Sequence, residues 1–262
     1  MATKVQTIPI AIFMAGALLS GCATTPAANE DTPTSTQSSA PSAPLDGMVI
    51  AIDPGHNGDN ANHPEIVNDL VDAVTKEKPC DTTGTETADG YPEHKFNFAI
   101  AVLLIDELES MGATVVTTRD SDDGVGPCLP ERAETGNDAH ADAAISIHAD
   151  GGPQSGSGFH ILEPKPLEGH TEKIVAPSHD LAIALRDAYE PIMPPADYIG
   201  SDGIDPRDDM GGLNLSTVPK VMVECGNMRN PDDAEKLTDA DYQSKIAKVL
   251  AEGVSVFLKK TG

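Results

Sequence analysis

M-V-I-A-I-D-P-G-H, residues 48–56, is an apolar run of strand length that ends in a polar turn. Two later stretches, A-A-I-S-I-H-A-D at 143–150 and K-V-M-V-E-C-G-N at 220–227, have the same layout. Apolar runs this short, separated by longer segments with helical periodicity, are typical of strands in a parallel sheet. The sequence therefore predicts an α/β fold: a single domain with a largely parallel twisted sheet flanked by helices.

The same periodicity predicts five strands and five helices. The predicted strands are Met48 to Ile52, Ala113 to Thr117, Ala143 to Ile147, Gly158 to Leu162 and Lys220 to Val223. The predicted helices are Glu93 to Met111, Pro130 to Asn137, Ser178 to Tyr189, Pro231 to Leu237 and Asp241 to Lys259. Three stretches with little periodicity are predicted to be long loops: 57–92, 164–177 and 191–213.

The N-terminus has the layout of an export signal. Lys4 precedes an apolar run that is too short to span a bilayer, and the run ends in L-S-G-C at 19–22. This order predicts a signal peptide over residues 1–21. Because L-S-G-C resembles the bacterial lipobox, Cys22 is predicted to become a lipidated N-terminus. The alternative is an ordinary secretory signal followed by a chance cysteine.

Residues 22–46 are rich in Thr, Ser, Pro and Ala and have few bulky apolar side chains. Such a composition predicts a low-complexity tether, and it leaves residues 47–262 to form the folded domain. We therefore expect an exported protein of the cell envelope that contacts the membrane only through its lipidated N-terminus.

The charge of the chain excludes one class of ligand. Lys and Arg number 17 and Asp and Glu 42, which gives a formal net charge of −25. A field of this sign repels phosphate backbones, so nucleic acid is excluded as a natural ligand. Trp is absent and only four Tyr and five Phe occur, too few for aromatic stacking platforms. Recognition is therefore expected to be polar or metal-based.

Three cysteines lie in the predicted domain. Cys80 and Cys128 occur in polar loops rich in Pro and Gly, where a disulfide of an exported protein would restrain long excursions. Cys225 follows an apolar strand. We therefore predict a Cys80–Cys128 disulfide and a buried free thiol at Cys225. No pair has the C-x-x-C spacing of a redox or zinc site.

Polar side chains with metal-binding chemistry occur where predicted strands end. His56 follows the first strand, His148 the third and Glu224 the fifth, while Glu93 starts the longest internal helix. Two imidazoles and one carboxylate suit a catalytic zinc with an open fourth position, and a further carboxylate suits proton transfer beside it. Each residue also has a simpler interpretation, such as a polar loop position or, for Glu93, an acid favoured by the helix dipole.

Four motifs occur in a fixed order: D-P-G-H at 53–56, Glu93 with Asn97, S-I-H-A-D at 146–150 and V-E-C-G-N at 223–227. In this order they resemble the motifs of zinc-dependent N-acetylmuramoyl-L-alanine amidases, the family often called amidase 3. The resemblance covers nearly all of 47–259. It implies one Zn²⁺ per chain, held by His56, Glu93 and His148, with Glu224 as the catalytic acid and base.

The resemblance also implies an activity. Such an enzyme cleaves the amide bond between N-acetylmuramic acid and L-alanine in peptidoglycan or muropeptides, and here it is expected to be a monomer. Two alternatives stay open: a catalytically silent envelope lipoprotein that binds muropeptides or regulates another hydrolase, and a zinc peptidase acting on ordinary peptides. One departure bears on substrate fit, since Met228 stands where many relatives have a bulkier apolar residue.

The remaining polar residues have less specific predictions. Asp53 and Asn97 could orient the metal ligands from an outer shell, or serve a turn and a helix. Arg119 and Arg132 are predicted to form structural ion pairs, binding of a substrate carboxylate being the alternative. His94 is predicted only to flank Glu93. Five further histidines are predicted to be solvated: His63, His140, His160, His170 and His179.

Overall fold

The computed structural model describes residues 43–261. The predicted signal peptide, Cys22 and residues 22–42 of the predicted tether lie outside the described residues. The last residues of that segment are described: the Leu45 side chain is buried, and the Leu45 N–H donates to the Met111 carbonyl at 2.9 Å. The chain is therefore packed against the domain two residues before the predicted boundary at 47.

A six-stranded sheet organises the domain, in the strand order β4-β1-β5-β8-β6-β7. Its strands are β1 (Val49–Pro54), β4 (Thr114–Thr117), β5 (Ala143–Asp150), β6 (His160–Pro164), β7 (Ile204–Arg207) and β8 (Lys220–Asn227). The first four in spatial order run parallel, β6 pairs antiparallel with β8, and β7 is parallel to β6. A separate hairpin consists of β2 (Leu70–Asp72) and β3 (Glu77–Pro79). The predicted α/β class with a largely parallel sheet is confirmed.

Alternation along the strands gives the sheet two different faces. We call one the apolar face, and its central residues are all fully buried: Ile50, Ile52, Ile145, Ile147, Val221 and Val223. Three helices cover it: α2 (Glu93–Ser110), α4 (Val175–Tyr189) and α7 (Ala240–Thr261). This packing forms the main hydrophobic core.

We call the opposite face the site face, and it carries Asp53, Ser146, His148, Lys220, Met222, Glu224 and His160. Its cover is thinner and consists of two shorter helices, α3 (Leu129–Asp138) and α5 (Gly211–Asn214). Gly136 lets α3 approach the sheet, because a Cβ there would lie 3.2 Å from the Ala51 side chain. The remaining helices are α1 (Pro64–Val67), α6 (Pro231–Thr238) and a short 3-10 helix at Asn60–Asn62.

Strand ends account for most differences from the prediction. β5 continues to Asp150 and β8 to Asn227, three and four residues beyond the predicted ends. The hydrophobic pattern stops earlier because a polar side chain on the site face comes next in each strand, His148 in β5 and Glu224 in β8. β7 and the β2–β3 hairpin lie in segments predicted to be loops; they are short, and β7 includes Pro206, which an edge strand tolerates.

The cysteine prediction is confirmed. Cys80 and Cys128 form a disulfide, and Cys225 is a buried free thiol. The disulfide ties the segment that carries the hairpin to the residue that precedes α3. Within the described range, none of the helices combines the length and the apolar character that crossing a bilayer requires.

Candidate metal centre

The three predicted ligands meet at the carboxyl edge of the parallel strands. His148 lies in β5, Glu93 opens α2, and His56 follows β1 in a left-handed conformation with φ of 58°. Gly55 explains part of the D-P-G-H motif, since a Cβ at this position would lie 2.0 Å from Cε1 of His148. Only glycine lets the β1 turn pass this close to the His148 ring.

The ligand atoms are close enough to share one ion. Oε1 of Glu93 lies 3.2 Å from Nε2 of His56 and 2.9 Å from Nδ1 of His148. One donor atom from each of the three residues falls within 4.8 Å of the others. The three side chains are between 6 and 13% exposed, so the cluster is shielded yet open to the cleft.

Hydrogen bonds from outside the cluster orient two of the three ligands. Nδ1 of His56 lies 3.1 Å from Oδ1 of Asp81, which leaves Nε2 to face Glu93. The Thr85 N–H donates to Oε2 of Glu93 at 2.9 Å. Asn97 donates to Oε1 of Glu93 at 3.4 Å, the contact expected of an outer-shell residue.

Asp81 is the residue that sequence reasoning missed. It lies in a stretch without periodicity, and the only signal near it is the neighbouring Cys80, whose disulfide fixes this part of the segment. Tracing the disulfide to the residue beside it would have brought Asp81 into consideration.

The hydrogen bonds described for the Asp53 side chain go to residues other than the three ligands, so an outer-shell role, one of the two predicted for it, is indirect. Its carboxylate pairs with Nη1 of Arg132 at 3.0 Å and with Nζ of Lys220 at 3.1 Å, and it accepts a hydrogen bond from Ser146. Asp53 reaches the ligands only through Arg132, which also pairs with Asp81 at 2.9 Å. The predicted structural ion pairs are thus present for Arg132, and Arg119 pairs with Asp122 at 3.0 Å.

The electrostatics of the cluster favour a cation. Burial opposes the charge on His56, but Glu93 and Asp81 raise the pKa of its imidazole to about 10. Burial likewise opposes the charge on Glu93, yet His56 and His148 hold the pKa of that carboxyl well below its usual range. The ionised Glu93 is therefore balanced by a proton on His56, and a divalent ion between the same donors would displace that proton.

Glu224 is placed beside the centre. It is the register partner of His148 across β5 and β8, so the two side chains share the site face. Burial, reinforced by Glu93 and Asp150, raises the pKa of the Glu224 carboxyl well above its usual range. An open cleft of about 260 Å³ is lined by all four predicted site residues together with Met210 and Met222.

One histidine prediction is wrong. His160 was expected to be solvated, but it is only 2% exposed. The strand that carries it, β6, pairs with β8 inside the sheet, which places His160 directly opposite Glu224. The alternation in β6 put His160 on the same face as buried Leu162, and that pattern was the available signal. His94, predicted to flank Glu93, binds Asp122 at 2.8 Å.

A known protein family matches most of the described domain. The model of the family described as N-acetylmuramoyl-L-alanine amidase matches residues 50–256. This range includes all four site residues and most of the domain. The chain belongs to the N-acetylmuramoyl-L-alanine amidase family. The resemblance to N-acetylmuramoyl-L-alanine amidases that the four motifs indicate is confirmed.

Individual amidases are similar over nearly their whole length. The N-acetylmuramoyl-L-alanine amidase Rv3717 of Mycobacterium tuberculosis is 39% identical over 232 residues, which is 88% of this chain and 95% of that protein. The crystal structure of the amidase Ami1 from Mycobacterium smegmatis superposes with a TM-score of 0.78 at 38% identity, covering 82% of this chain and 99% of the other. The apo form of Ami1 from Mycobacterium abscessus gives 0.77 at 38% identity, covering 82% and 100%. The similarity thus extends over nearly all of each relative and over more than four fifths of this chain.

Proposed function

We propose that the chain is a zinc-dependent hydrolase that cleaves the amide bond between N-acetylmuramic acid and L-alanine in peptidoglycan or muropeptides. The observation that carries the proposal is the convergence of His56, Glu93 and His148, with Glu224 in register beside them. The names of its relatives, which are amidases of this specificity, support the bond and the substrate class.

The donor set suits zinc. Two imidazoles and one carboxylate are a common set of three protein ligands for a catalytic zinc, which keeps its fourth position open. Asp81 accepts from Nδ1 of His56, as an outer carboxylate does when it fixes the tautomer of a ligating histidine. The charges of the site also favour a metal cation. Glu93 and Asp81 stabilise positive charge on His56, and the histidines stabilise negative charge on Glu93.

Zinc, when bound, supplies a Lewis acid that polarises the scissile carbonyl and lowers the pKa of a water molecule. Glu224 is then the residue that moves the proton. Its carboxylate accepts a proton from the attacking water and delivers it to the L-alanine nitrogen as the carbon–nitrogen bond breaks. A pKa raised by burial suits this role, because the carboxyl must hold the proton between the two transfers.

One assay tests the function. The chain without residues 1–21 is incubated with a muropeptide of defined structure, with and without a chelator, and the products are identified by mass. We expect release of the whole stem peptide, abolished by chelation and restored by Zn²⁺. Cleavage between amino acids would instead identify a peptidase, and an unchanged muropeptide with metal bound would identify a silent binder.

The cellular location is part of the proposal. We propose an exported, envelope-associated monomer anchored by lipid on Cys22, which keeps the enzyme near its polymer. Cys22→Ala should move the protein from the membrane fraction to the soluble extracytoplasmic fraction. Equal membrane retention of the variant and the wild type would remove the anchor from the proposal.

A further inference from the structure

Two buried polar atoms on the site face have no hydrogen-bond partner. They are Oε2 of Glu224 and Nδ1 of His160. The two residues are directly opposite each other in the antiparallel pairing of β6 and β8. Side chains so placed point to the same face, and their Cβ atoms are about 5 Å apart in sheets of this kind. The two unpartnered atoms therefore belong to neighbouring side chains, and in this structure they do not hydrogen-bond to each other.

The surroundings of His160 separate it from solvent without binding Nδ1. The Tyr198 ring meets His160 edge-on, with 6.1 Å between the ring centroids. Tyr198 sits this close because Gly152 and Gly156 lack side chains, since a Cβ on either would lie 2.6 or 2.4 Å from its ring. The Tyr198 hydroxyl donates to Asp150 at 2.9 Å, so its own donor is used elsewhere.

The chemistry of the two unpartnered atoms is complementary. As a general base Glu224 must be ionised, and an ionised carboxylate oxygen only accepts hydrogen bonds, whereas a neutral imidazole has one N–H that must find an acceptor. Burial lowers the pKa of His160 despite the carboxylates of Asp150 and Asp205, which favours the neutral imidazole. A buried donor and a buried acceptor that stay unpaired each destabilise the folded state.

We propose that His160 is a positioning residue for Glu224: a rotation of the two side chains brings its Nδ1–H to Oε2 of Glu224, and this bond holds the other carboxylate oxygen toward the cleft. The inference rests on the proposed function, because the role of Glu224 in proton transfer is part of it. The terminal torsion of a glutamate is broad, so an unanchored carboxylate samples orientations that do not face the substrate. With Oε2 of Glu224 held by His160, the other carboxylate oxygen is the one that transfers the proton.

Three substitutions at one position test the donor. Asn carries its amide nitrogen close to where histidine carries Nδ1, Gln carries it near Nε2, and Leu carries no donor. We expect His160→Leu to lower kcat roughly 10- to 100-fold, as misplacement of a reacting group does, with KM and zinc content within about twofold of wild type. We expect His160→Asn to recover most of that loss and His160→Gln to recover little.

The matched control is His170→Leu, the same change at an exposed histidine, which should leave all parameters at wild-type values. Two outcomes would overturn the proposal: His160→Leu within threefold of wild type in kcat, or Asn, Gln and Leu variants that fold equally well and are equally impaired. The second outcome would mean that position 160 matters only for packing.

A second readout does not depend on activity. Long-range ¹H–¹⁵N spectra of the histidine side chains give the tautomer of His160, assigned by its loss in His160→Asn. We expect a protonated Nδ1 whose resonance shifts in Glu224→Leu but not in the His170→Leu control. A His160 signal that is unchanged by Glu224→Leu contradicts the contact, whether or not any His160 variant folds. Failure of the wild type to cut muropeptides would instead refute the proposed function and leave this measurement intact.

Discussion

The two faces of the central sheet are formed by the same strands but have different roles: one forms the hydrophobic core and the other carries buried charges. On the apolar face, residues such as Ile145 and Val223 pack against α2, α4 and α7, and all are fully buried. On the site face, the alternate residues Asp53, Ser146 and Lys220 are nearly as buried, but they are polar and bind one another. Burial therefore supplies the driving force of folding on one face and a low-dielectric setting for charges on the other.

The charges of the site face form a continuous path to the metal centre. Lys220 and Arg132 both pair with Asp53, Arg132 pairs with Asp81, and Asp81 accepts from His56. Every member has a partner, as buried charges require. The difference between the faces teaches that the orientation of His56 depends on the ion pairs that lie beneath it, whereas the apolar packing behind the sheet contributes to the fold and not to the site.

The largest expected effect comes from removing a metal ligand. His148→Ala should abolish both zinc binding and amidase activity, because two remaining protein ligands do not hold a catalytic zinc. Metal content measured after dialysis and product mass from a muropeptide check the prediction. His140→Ala, a change at an exposed histidine, is the control and should retain both. Full metal content in His148→Ala would show that the ion is held elsewhere.

Glu224→Gln should separate metal binding from proton transfer. Zinc content is expected to stay at the wild-type level, because Glu224 is outside the cluster of three ligands. The value of kcat should fall between about 10²- and 10⁴-fold, the usual contribution of a general acid and base. Turnover by Glu224→Gln equal to wild type would remove this residue from the mechanism while leaving the metal centre in place.

A matched pair of variants tests the comparison of the two faces directly. Ile145→Ala should lower the free energy of unfolding by about 2–5 kcal/mol through loss of packing. Asp53→Ala should lower it by about 3–5 kcal/mol, because Lys220 and Arg132 lose their shared partner in a buried setting. Chemical denaturation of the metal-free proteins gives both values.

The variants Asp53→Ala and Ile145→Ala should differ in their affinity for zinc. Asp53→Ala releases Arg132 and, through it, the Asp81 contact to His56, so we expect zinc affinity to fall about 10-fold or more, as it does when outer contacts of a ligand are lost. Ile145→Ala should bind zinc as the wild type does. Equal affinities in the two variants would mean that the path of ion pairs supports the fold and not the centre.

The residues of the apolar face could be predicted from the sequence more completely than those of the site face, for a physical reason. Alternation of apolar residues is a local pattern, so the strands of the apolar face and the class of the fold followed from it. His148 and Glu224 were assigned to strand ends because apolar periodicity stops there, although both strands continue. Asp81 and the burial of His160 depend on which segments meet in space, through the disulfide in one case and the β6–β8 pairing in the other.

The smallest expected effect is a loss of stability in acid, which should affect the site face and not the apolar face. Ion pairs with Lys220 and Arg132 hold the pKa of Asp53 well below its usual value of about 3.8, against the effect of burial. The unfolded chain therefore binds a proton at higher pH than the folded chain, and stability from Asp53 is complete above pH 3.8 and decreases as pH falls below it. The loss is at most about 1.4 kcal/mol per pH unit for one such group.

We expect the difference in unfolding free energy between wild type and Asp53→Asn to shrink by about 1 kcal/mol between pH 4 and pH 3. The difference between wild type and Ile145→Val should be constant over that interval, because it arises from packing alone. Urea denaturation of the metal-free proteins at both pH values measures the two differences. A constant difference for Asp53→Asn would show that Asp53 is not held ionised by its partners, and the site face would then lack the electrostatic path that distinguishes it from the apolar face.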